Sequence, residues 1–298
     1  MQMKMSFSDK CIEAVLLTIA ILVGVGTLYP FLNVLAIAFN DSLDTVRGGI
    51  GIFPRVPTLE NFRQVFAFPT LLTGLVNSVI RTVAGTLITV FCTAMMAYVL
   101  SRTDFMYRKL FNIMFVVTMY VSGGMVTGFL LIRNLGLFNN FLVYILPGIT
   151  GAWFIFITRS YIETLPLSLQ ESAKIDGAND FTIFTRIILP LSVPVLATIA
   201  LFAAVGQWNS WFDTYLFTTD IRLTTLQFEL QKILLDTQQA AAAAQQGNLL
   251  MAQELATNVT PQSIQMAITI VVIVPIILVY PFLQRYFISG MTLGAVKG

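Results

Sequence analysis

The sequence predicts an all-α integral membrane protein. Six transmembrane helices form one domain over residues 1–298, with a helical loop on the cytoplasmic side. Three observations carry this. First, 56% of the 298 residues are hydrophobic and 11% are charged, with mean hydropathy +0.80. A soluble protein carries about 25% charge, so this chain lacks the polar groups to cover itself in water. Second, apolar runs recur along the whole chain, and about twenty residues suffice for one crossing. Third, one polar passage of any length, Glu171 to Pro190, stands between two strongly apolar segments.

The composition also excludes several classes. Net charge is +2, which suggests no nucleic-acid partner. Histidine is absent, which removes Ser-His and Cys-His nucleophile pairs and most zinc sites. Cys11 and Cys92 lie in or beside apolar spans and read as packing residues rather than a disulfide or metal pair. No G-x-x-x-x-G-K-[ST] occurs, so no P-loop binds ATP on this chain.

The first span covers about 12–39, after Lys4 and Lys10. It is too long for a signal-peptide core and no small-residue cleavage site follows, so it reads as a retained anchor. Pro30 and Asn33 are placed to kink its outer end. Residues 40–69 form an external segment, with turn signals at Pro54, Pro57, Pro69 and the Gly48, Gly49, Gly51 cluster. The second span covers 78–100. Arg81 has two readings. An ionisable residue in a membrane is a functional candidate, but Thr82–Leu100 crosses without it, which favours an arginine snorkelling to the outer surface. Arg102, Arg108 and Lys109 mark a cytoplasmic turn. The third span, 110–132, is loosened by Gly123 and Gly124. The fourth, 141–161, is broken by Pro147 and Gly148, as is tolerated where a helix lines a cavity or is packed in protein. The fifth covers 191–217 and the sixth 264–287, with Pro275 and Pro281. Between them lies the longest external segment, 218–261. Its Ala/Gln run, Gln238 to Gln246, has helix propensity but no apolar stripe. With both termini inside, Arg47, Arg55, Arg63, Arg81, Arg133, Arg222 and Lys232 fall outside, and the other ten of 17 Lys and Arg fall inside, the expected bias. No sustained internal repeat is evident.

The loop, 166–190, reads as two short helices about a glycine turn. The first opens at Pro166, whose missing N–H needs no partner there, or one turn later at the capping-box spacing of Ser168 and Glu171. Gly177 suits a left-handed stop. Asn179 or Asp180 caps the second helix. Phe181, Phe184 and Ile188 share one face and Arg186 faces away. Ser172 and Ala173 let another backbone come close. The expectation is a compact knob whose apolar side docks a soluble partner.

These residues carry a resemblance. Permease subunits of ABC importers have a cytoplasmic loop of the form E-A-A, three residues, G, nine residues, I-x-L-P. Glu171, Ser172, Ala173, Gly177, Ile187, Leu189 and Pro190 fit that spacing, with Ser172 in place of the first alanine, and Asp176 and Ala178 complete a D-G-A. Asn77-Ser78, Ala97-Tyr98, Ser101-Arg102 and the tail FISGMTLGAVKG are also similar to this family. The resemblance implies an ABC type I importer fold in a bacterial inner membrane, multi-pass, with both termini cytoplasmic. It implies a heterodimer with a second permease, two ATPase subunits and an extracytoplasmic solute-binding protein. ATP and Mg would sit on the ATPases, with no cofactor on this chain. The loop would be the coupling helix seated in an ATPase cleft, anchored by Glu171 through hydrogen bonds or an ion pair.

The fifth span ends GQWNSWFDTYLF. Trp208, Trp211 and Tyr215 are placed on one helical face, with Asn209 and Asp213 nearby. Aromatic rings beside polar groups are how proteins hold sugars, and a Trp-Asn pair here resembles carbohydrate-type permeases. The other reading is an interfacial aromatic belt, favoured by a position about 27 Å along the helix at 1.5 Å per residue. Nearly all of the chain, most strongly the loop, the second span and the C-terminus, is similar to the small maltose-importer permease and the permeases for oligo- and polysaccharides, acidic ones such as alginate included. In the maltose type a loop corresponding in position to 218–261 enters the sugar-binding protein. An amino-acid or peptide permease is the alternative within the class. A secondary transporter would usually show an intramembrane ionisable pair, and none stands out in the sequence. An intramembrane enzyme would need convergent acids or histidine.

Overall fold

The structure, a computed structural model, describes residues 7–245 and 260–295. Lys4, residues 246–259 of the long external segment, and the last residues of the tail, 296–298, lie outside the described residues. The described residues are helical apart from short connections, and one isolated bridge pairs Asn40 with Pro57. The chain divides into two compact units, Met1–Phe68 with Lys232–Ile273, and Pro69–Gln231 with Val274–Gly298.

In the first unit, α1 (Phe7–Ala38) is a continuous helix through Pro30. From Ile12 to Phe31 its side chains are exposed, which suits a helix whose apolar surface meets lipid or another helix. Asn33 does not break it; its amide donates to the carbonyls of Ile50 and Gly51 at 2.8 and 2.9 Å. The external segment then folds on side-chain hydrogen bonds around α2 (Ser42–Val46) and α3 (Glu60–Ala67). Asp41 caps α2 by accepting from the Leu43 and Asp44 amides. Asn61, 1% exposed, donates to the carbonyls of Ala38 and Asn40 and accepts from Ser42 Oγ, all within 2.8–2.9 Å. Asn40 accepts from the amides of Arg55 and Val56. Gly48 and Gly49, at φ +70° and +71°, make the turn that their cluster predicted.

The second unit is built on α4 (Pro69–Ser101), 33 residues long, which begins nine residues before the predicted span. Gly74, Ser78, Arg81, Gly85, Thr89, Thr93 and Ala97 form its buried stripe. Their spacing of three and four puts them on one face, and mostly small residues let helices approach closely. Asn77 donates to the carbonyls of Arg222 and Thr224, both at 2.8 Å, and Ser78 Oγ accepts from the Leu226 amide at 2.9 Å. A Cβ on Gly74 would lie 3.0 Å from that backbone. The Asn-Ser pair is therefore a clasp for the segment after the fifth span.

The third span is broken, not merely loosened. The helices α5 (Arg108–Tyr120) and α6 (Gly124–Asn134) meet at 120°, because Gly124 takes φ +76°, outside any right-handed helix. The fourth bends by 49° between turns of 3₁₀ helix at Phe141–Gly148 and α7 (Ala152–Ile162), as Pro147 predicted. The loop contains α8 (Leu167–Ile175) and α9 (Asp180–Ile183), then a widened turn at Phe184–Ile188 and α10 (Leu189–Leu191). The fifth span is three pieces rather than one: α10, α11 (Val193–Asn209) and α12 (Phe212–Phe217). α13 (Leu226–Gln245) takes in the Ala/Gln run up to Gln245, and α14 (Pro261–Ala295) passes through Pro275 and Pro281. Among the described residues, three helices are long and apolar enough to cross a bilayer, and each of three bent pairs would add one crossing. That total matches the six predicted spans.

Asn61→Ala removes a donor pair and an acceptor from a buried site, at a cost of about 2–4 kcal/mol. Limited proteolysis of the detergent-solubilised protein is expected to show faster cleavage within residues 40–68 and unchanged cleavage in the loop 166–190.

Candidate functional site

The loop 166–190 is built from local turn chemistry. Pro166 is the N-cap of α8 rather than its first residue, and the Ser168–Glu171 capping box is not used. Gly177 has φ +80°. The Ala178 amide donates to Ala173 O at 2.9 Å and the Gly177 amide to Lys174 O at 3.0 Å, the paired bonds of a Schellman stop. Of the two candidate caps, Asn179 acts. Its Oδ1 accepts from the Thr182 amide at 2.8 Å and from Thr182 Oγ1 at 2.9 Å.

The apolar face divides. Phe184 and Ile188 are buried in a core with Ala94, Ala97, Tyr98, Leu100, Ile155, Ile162 and Ile183, and Ala173, Ala178 and Leu189 pack against it. Phe181 is 64% exposed. The predicted Phe181–Phe184–Ile188 docking face is thus largely taken up inside the subunit: Phe184 and Ile188 enter its core, Phe181 stays at the surface with its ring 6.4 Å from that of Phe184, and a widened turn runs over Phe184–Ile188. Pro190, with no N–H to donate, accompanies that turn. The surface left free is Leu167, Leu169, Ile175 and Phe181, with Glu171, Ser172, Asp176, Gly177 and Pro190 also exposed and Ile187 half-buried. The Glu171 side chain makes no hydrogen bond or ion pair to another described residue, so the knob is not anchored to its own subunit through it.

The anchor is Arg102. Its side chain is 13% exposed and binds Asp104 and Asp180, with a further bond to Tyr98 Oη at 3.0 Å. Lys174 lies 3.6 Å from Asp104. Both loop helices are therefore tied to the turn after α4. Hydrogen bonding from Arg102 holds the Asp104 carboxyl well below the usual carboxylate range; burial opposes this, and the charges of Arg102 and Lys174 add to it. Beside this tether, Arg108 and Arg159 share Glu163 at 2.6 and 2.9 Å, and Arg159 donates to Asn112 at 2.6 Å. Sequence spacing gave no signal of the Arg102–Asp180 and Arg108–Glu163 contacts, which join residues 78 and 55 positions apart.

Deeper in the second unit the structure overturns the snorkelling reading of Arg81. The residue is 2% exposed. Its Nη1 and Nη2 fork onto Asp213 Oδ1 and Oδ2 at 3.1 and 2.5 Å, Nε donates to Gln207 Oε1 at 3.2 Å, and Nη1 also reaches Ser210 O at 3.3 Å. The guanidinium lies over the Tyr144 ring, 4.5 Å from its centroid. An ionisable pair inside the helices, which did not stand out in the sequence, is therefore present. It borders a cavity of about 310 Å³ lined by Arg81, Thr89, Tyr144, Pro147, Gly148, Phe154, Phe202, Gln207, Ser210, Asp213 and Phe217.

The aromatic group of the fifth span is not one helical face, because the helix stops at Asn209 and restarts at Phe212. Trp208 is buried at the end of α11. Trp211 and Tyr215 stand together at the start of α12, after the break, with rings 6.4 Å apart and Phe212 and Phe228 beside them. Asn209 accepts from Gln227 at 3.0 Å. Of the five predicted residues, only Asp213 borders the cavity.

Residues 90–293 match the family described as the binding-protein-dependent transport system inner membrane component. The chain belongs to this family. It is a membrane permease subunit with the type I ABC permease fold, and its apolar helices are those of a multi-pass inner-membrane protein. Relatives extend over the whole permease. It is 36% identical to the polygalacturonan/rhamnogalacturonan transport system permease protein YtcP of Bacillus subtilis, over 99% of this chain and 100% of that one. It is 31% identical to the trehalose/maltose transport system permease protein MalG of Thermococcus litoralis, over 97% and 99%. Among solved structures, the permease is similar to a chain of a bacterial ABC transporter involved in the import of the acidic polysaccharide alginate, with TM-score 0.83 and 26% identity over 96% of this chain and 100% of that one.

Two predictions follow from the contacts of the permease. Because the folded Asp104 carboxyl titrates below its unfolded value of about 3.9, its tether is complete above that value and is lost only as pH falls through the lowered one. Asp104 is more than half exposed, so its share is small. Hydrogen exchange of loop amides 167–183, corrected for intrinsic rates, is expected to be constant from pH 5.5 to 8 and to rise in Arg102→Ala. Separately, Arg81→Met leaves Asp213 without its cation and is expected to cost about 3–5 kcal/mol, while Arg81→Met/Asp213→Leu recovers most of it. Thermal midpoints of the purified protein would report both.

Proposed function

We propose that this permease forms half of the translocation path of an ATP-driven importer for oligo- or polysaccharides, acidic ones among them. Its partners are a second permease, two ATPase subunits that hold ATP and Mg, and an extracytoplasmic solute-binding protein. Both termini lie in the cytoplasm. The observation that carries the coupling role is the knob about Gly177: two short helices tied to the bundle by Arg102, with Leu167, Ile175 and Phe181 left exposed. Such a surface suits seating in a cleft of an ATPase. Closing the ATPase dimer on ATP would push the knob, and the Arg102 tether and the Phe184–Ile188 core would pass that movement to α4 and α7. Alternating access between inward- and outward-facing states follows from it. In this reading Glu171 and Asp176 face the ATPase, Ser172 lies on the contact surface, Ala173 and Ala178 permit close packing within the knob, and Ile187, Leu189 and Pro190 set its junction with the fifth span. The carbohydrate assignment rests on relatives named for polygalacturonan, rhamnogalacturonan, trehalose and maltose transport.

Gly177→Asp places a side chain in the left-handed region at a strain of about 1–2 kcal/mol, although no atom lies within 4 Å of the added Cβ. The variant is expected to insert and assemble normally but to lose transport; full transport would overturn the coupling role. For the substrate, ATP hydrolysis by the complete complex in lipid, with its binding protein and a panel of neutral and acidic oligosaccharides, is expected to rise with saccharides. A rise with amino acids or peptides alone would replace the carbohydrate reading and leave the coupling role intact.

A further inference from the structure

The cavity at Arg81 is bordered by a site with unused hydrogen-bonding capacity. Four donor positions of Arg81 are spent on Gln207, Ser210 and Asp213, and the guanidinium is almost wholly buried. Asp213 is not: its side chain is 21% exposed, and it lines the cavity. Gln207 uses its oxygen on Arg81 and has no partner for its Nε2 among the described residues. That amide sits where a Cβ on Gly85 would come within 2.8 Å of it, and a Cβ on Gly148 within 3.9 Å, so the two glycines make room for it. Thr89 Oγ1 donates to Gly148 O at a long 3.3 Å. Phe154, Phe202 and Phe217 supply apolar walls.

The chemistry of this lining is specific. A carboxylate acceptor, an amide donor and a hydroxyl beside aromatic rings match the hydroxyls and apolar face of a sugar. The volume, about 310 Å³, is at the small end of ligand pockets, which run from about 300 to 1,000 Å³, and fits one ring rather than a chain. Charge matters as much. Arg81 is already forked by Asp213, so the site is neutral, and its accessible member is the acid. A carboxylate on the ligand would meet no free cation here. Resting on the carbohydrate reading above, we propose that this cavity is a subsite for one pyranose ring, bound through its hydroxyls and apolar face, with no selection for a carboxylate on that ring.

The test uses the complete complex with its binding protein, trapped with ATP and vanadate. The amounts of galacturonate trimer and galactose trimer retained would be compared in wild type, Asp213→Asn and Gln207→Glu. The binding protein is common to all three, so its own preference cancels. Asp213→Asn leaves Arg81 unneutralised and is expected to raise the acidic-to-neutral ratio by roughly tenfold, the scale of one partly screened charge. Gln207→Glu adds a negative charge and is expected to lower it by a similar factor. A pair with a purely structural role would reduce retention of both sugars alike and leave the ratio unchanged, which overturns the subsite but not the carbohydrate reading. Retention of neither trimer by wild type overturns both. Should Asp213→Asn fail to assemble, the ratio in Gln207→Glu decides.

Discussion

The second unit depends on a buried charge that has found its counter-ion. Arg81 sits in α4 and Asp213 in α12, on the far side of a helix break. In a low-dielectric interior an unpaired guanidinium would be prohibitively costly. Its five donors therefore dictate their surroundings. Asp213 must face inward, Gln207 must reach back along α11, and the carbonyl of Ser210 must be available to accept. That last requirement suits the break, because a carbonyl inside a continuous helix is already engaged with its own N–H partner. The cavity beside the pair, the glycines that admit Gln207 and the Tyr144 ring over the guanidinium belong to the same constraint.

At the loop 166–190 a second arginine gathers carboxylates. Arg102 gathers Asp104 and Asp180, but in a setting open to water, where each ion pair is worth little by itself. What makes this tether effective is its combination with packing. Phe184 and Ile188 enter the core of α4 and α7, and Tyr98 both stacks on Phe184 at 5.6 Å and accepts from Arg102. The loop is thus held both by packing and by ion pairs, with Leu167, Ile175 and Phe181 left exposed.

Local chemistry was legible from the residues, and distant pairing was not. Gly177, Asn179 and the Gly48–Gly49 turn follow from what a missing Cβ or a short amide side chain does to its own backbone. The break at Pro147 is of the same kind. Gly123 and Gly124 signalled a weakness in the third span, but the 120° bend needed the positive φ that only the folded chain displays. Phe181, Phe184 and Ile188 have helical spacing, but spacing does not say that Phe184 and Ile188 are buried while Phe181 stays exposed.

Composition, apolar run length and turn residues thus determined that this chain is an α-helical membrane protein with a two-helix polar loop, because those properties act over a few neighbouring residues. Tertiary structure alone decided that Arg81 is buried rather than snorkelling, that Asp213 is its partner across 132 positions, that the loop hangs on Arg102, and that Trp208 parts from Trp211 and Tyr215. The Arg81–Asp213 and Arg102–Asp180 pairings are long-range, set by which helices pack together, and local spacing does not encode them.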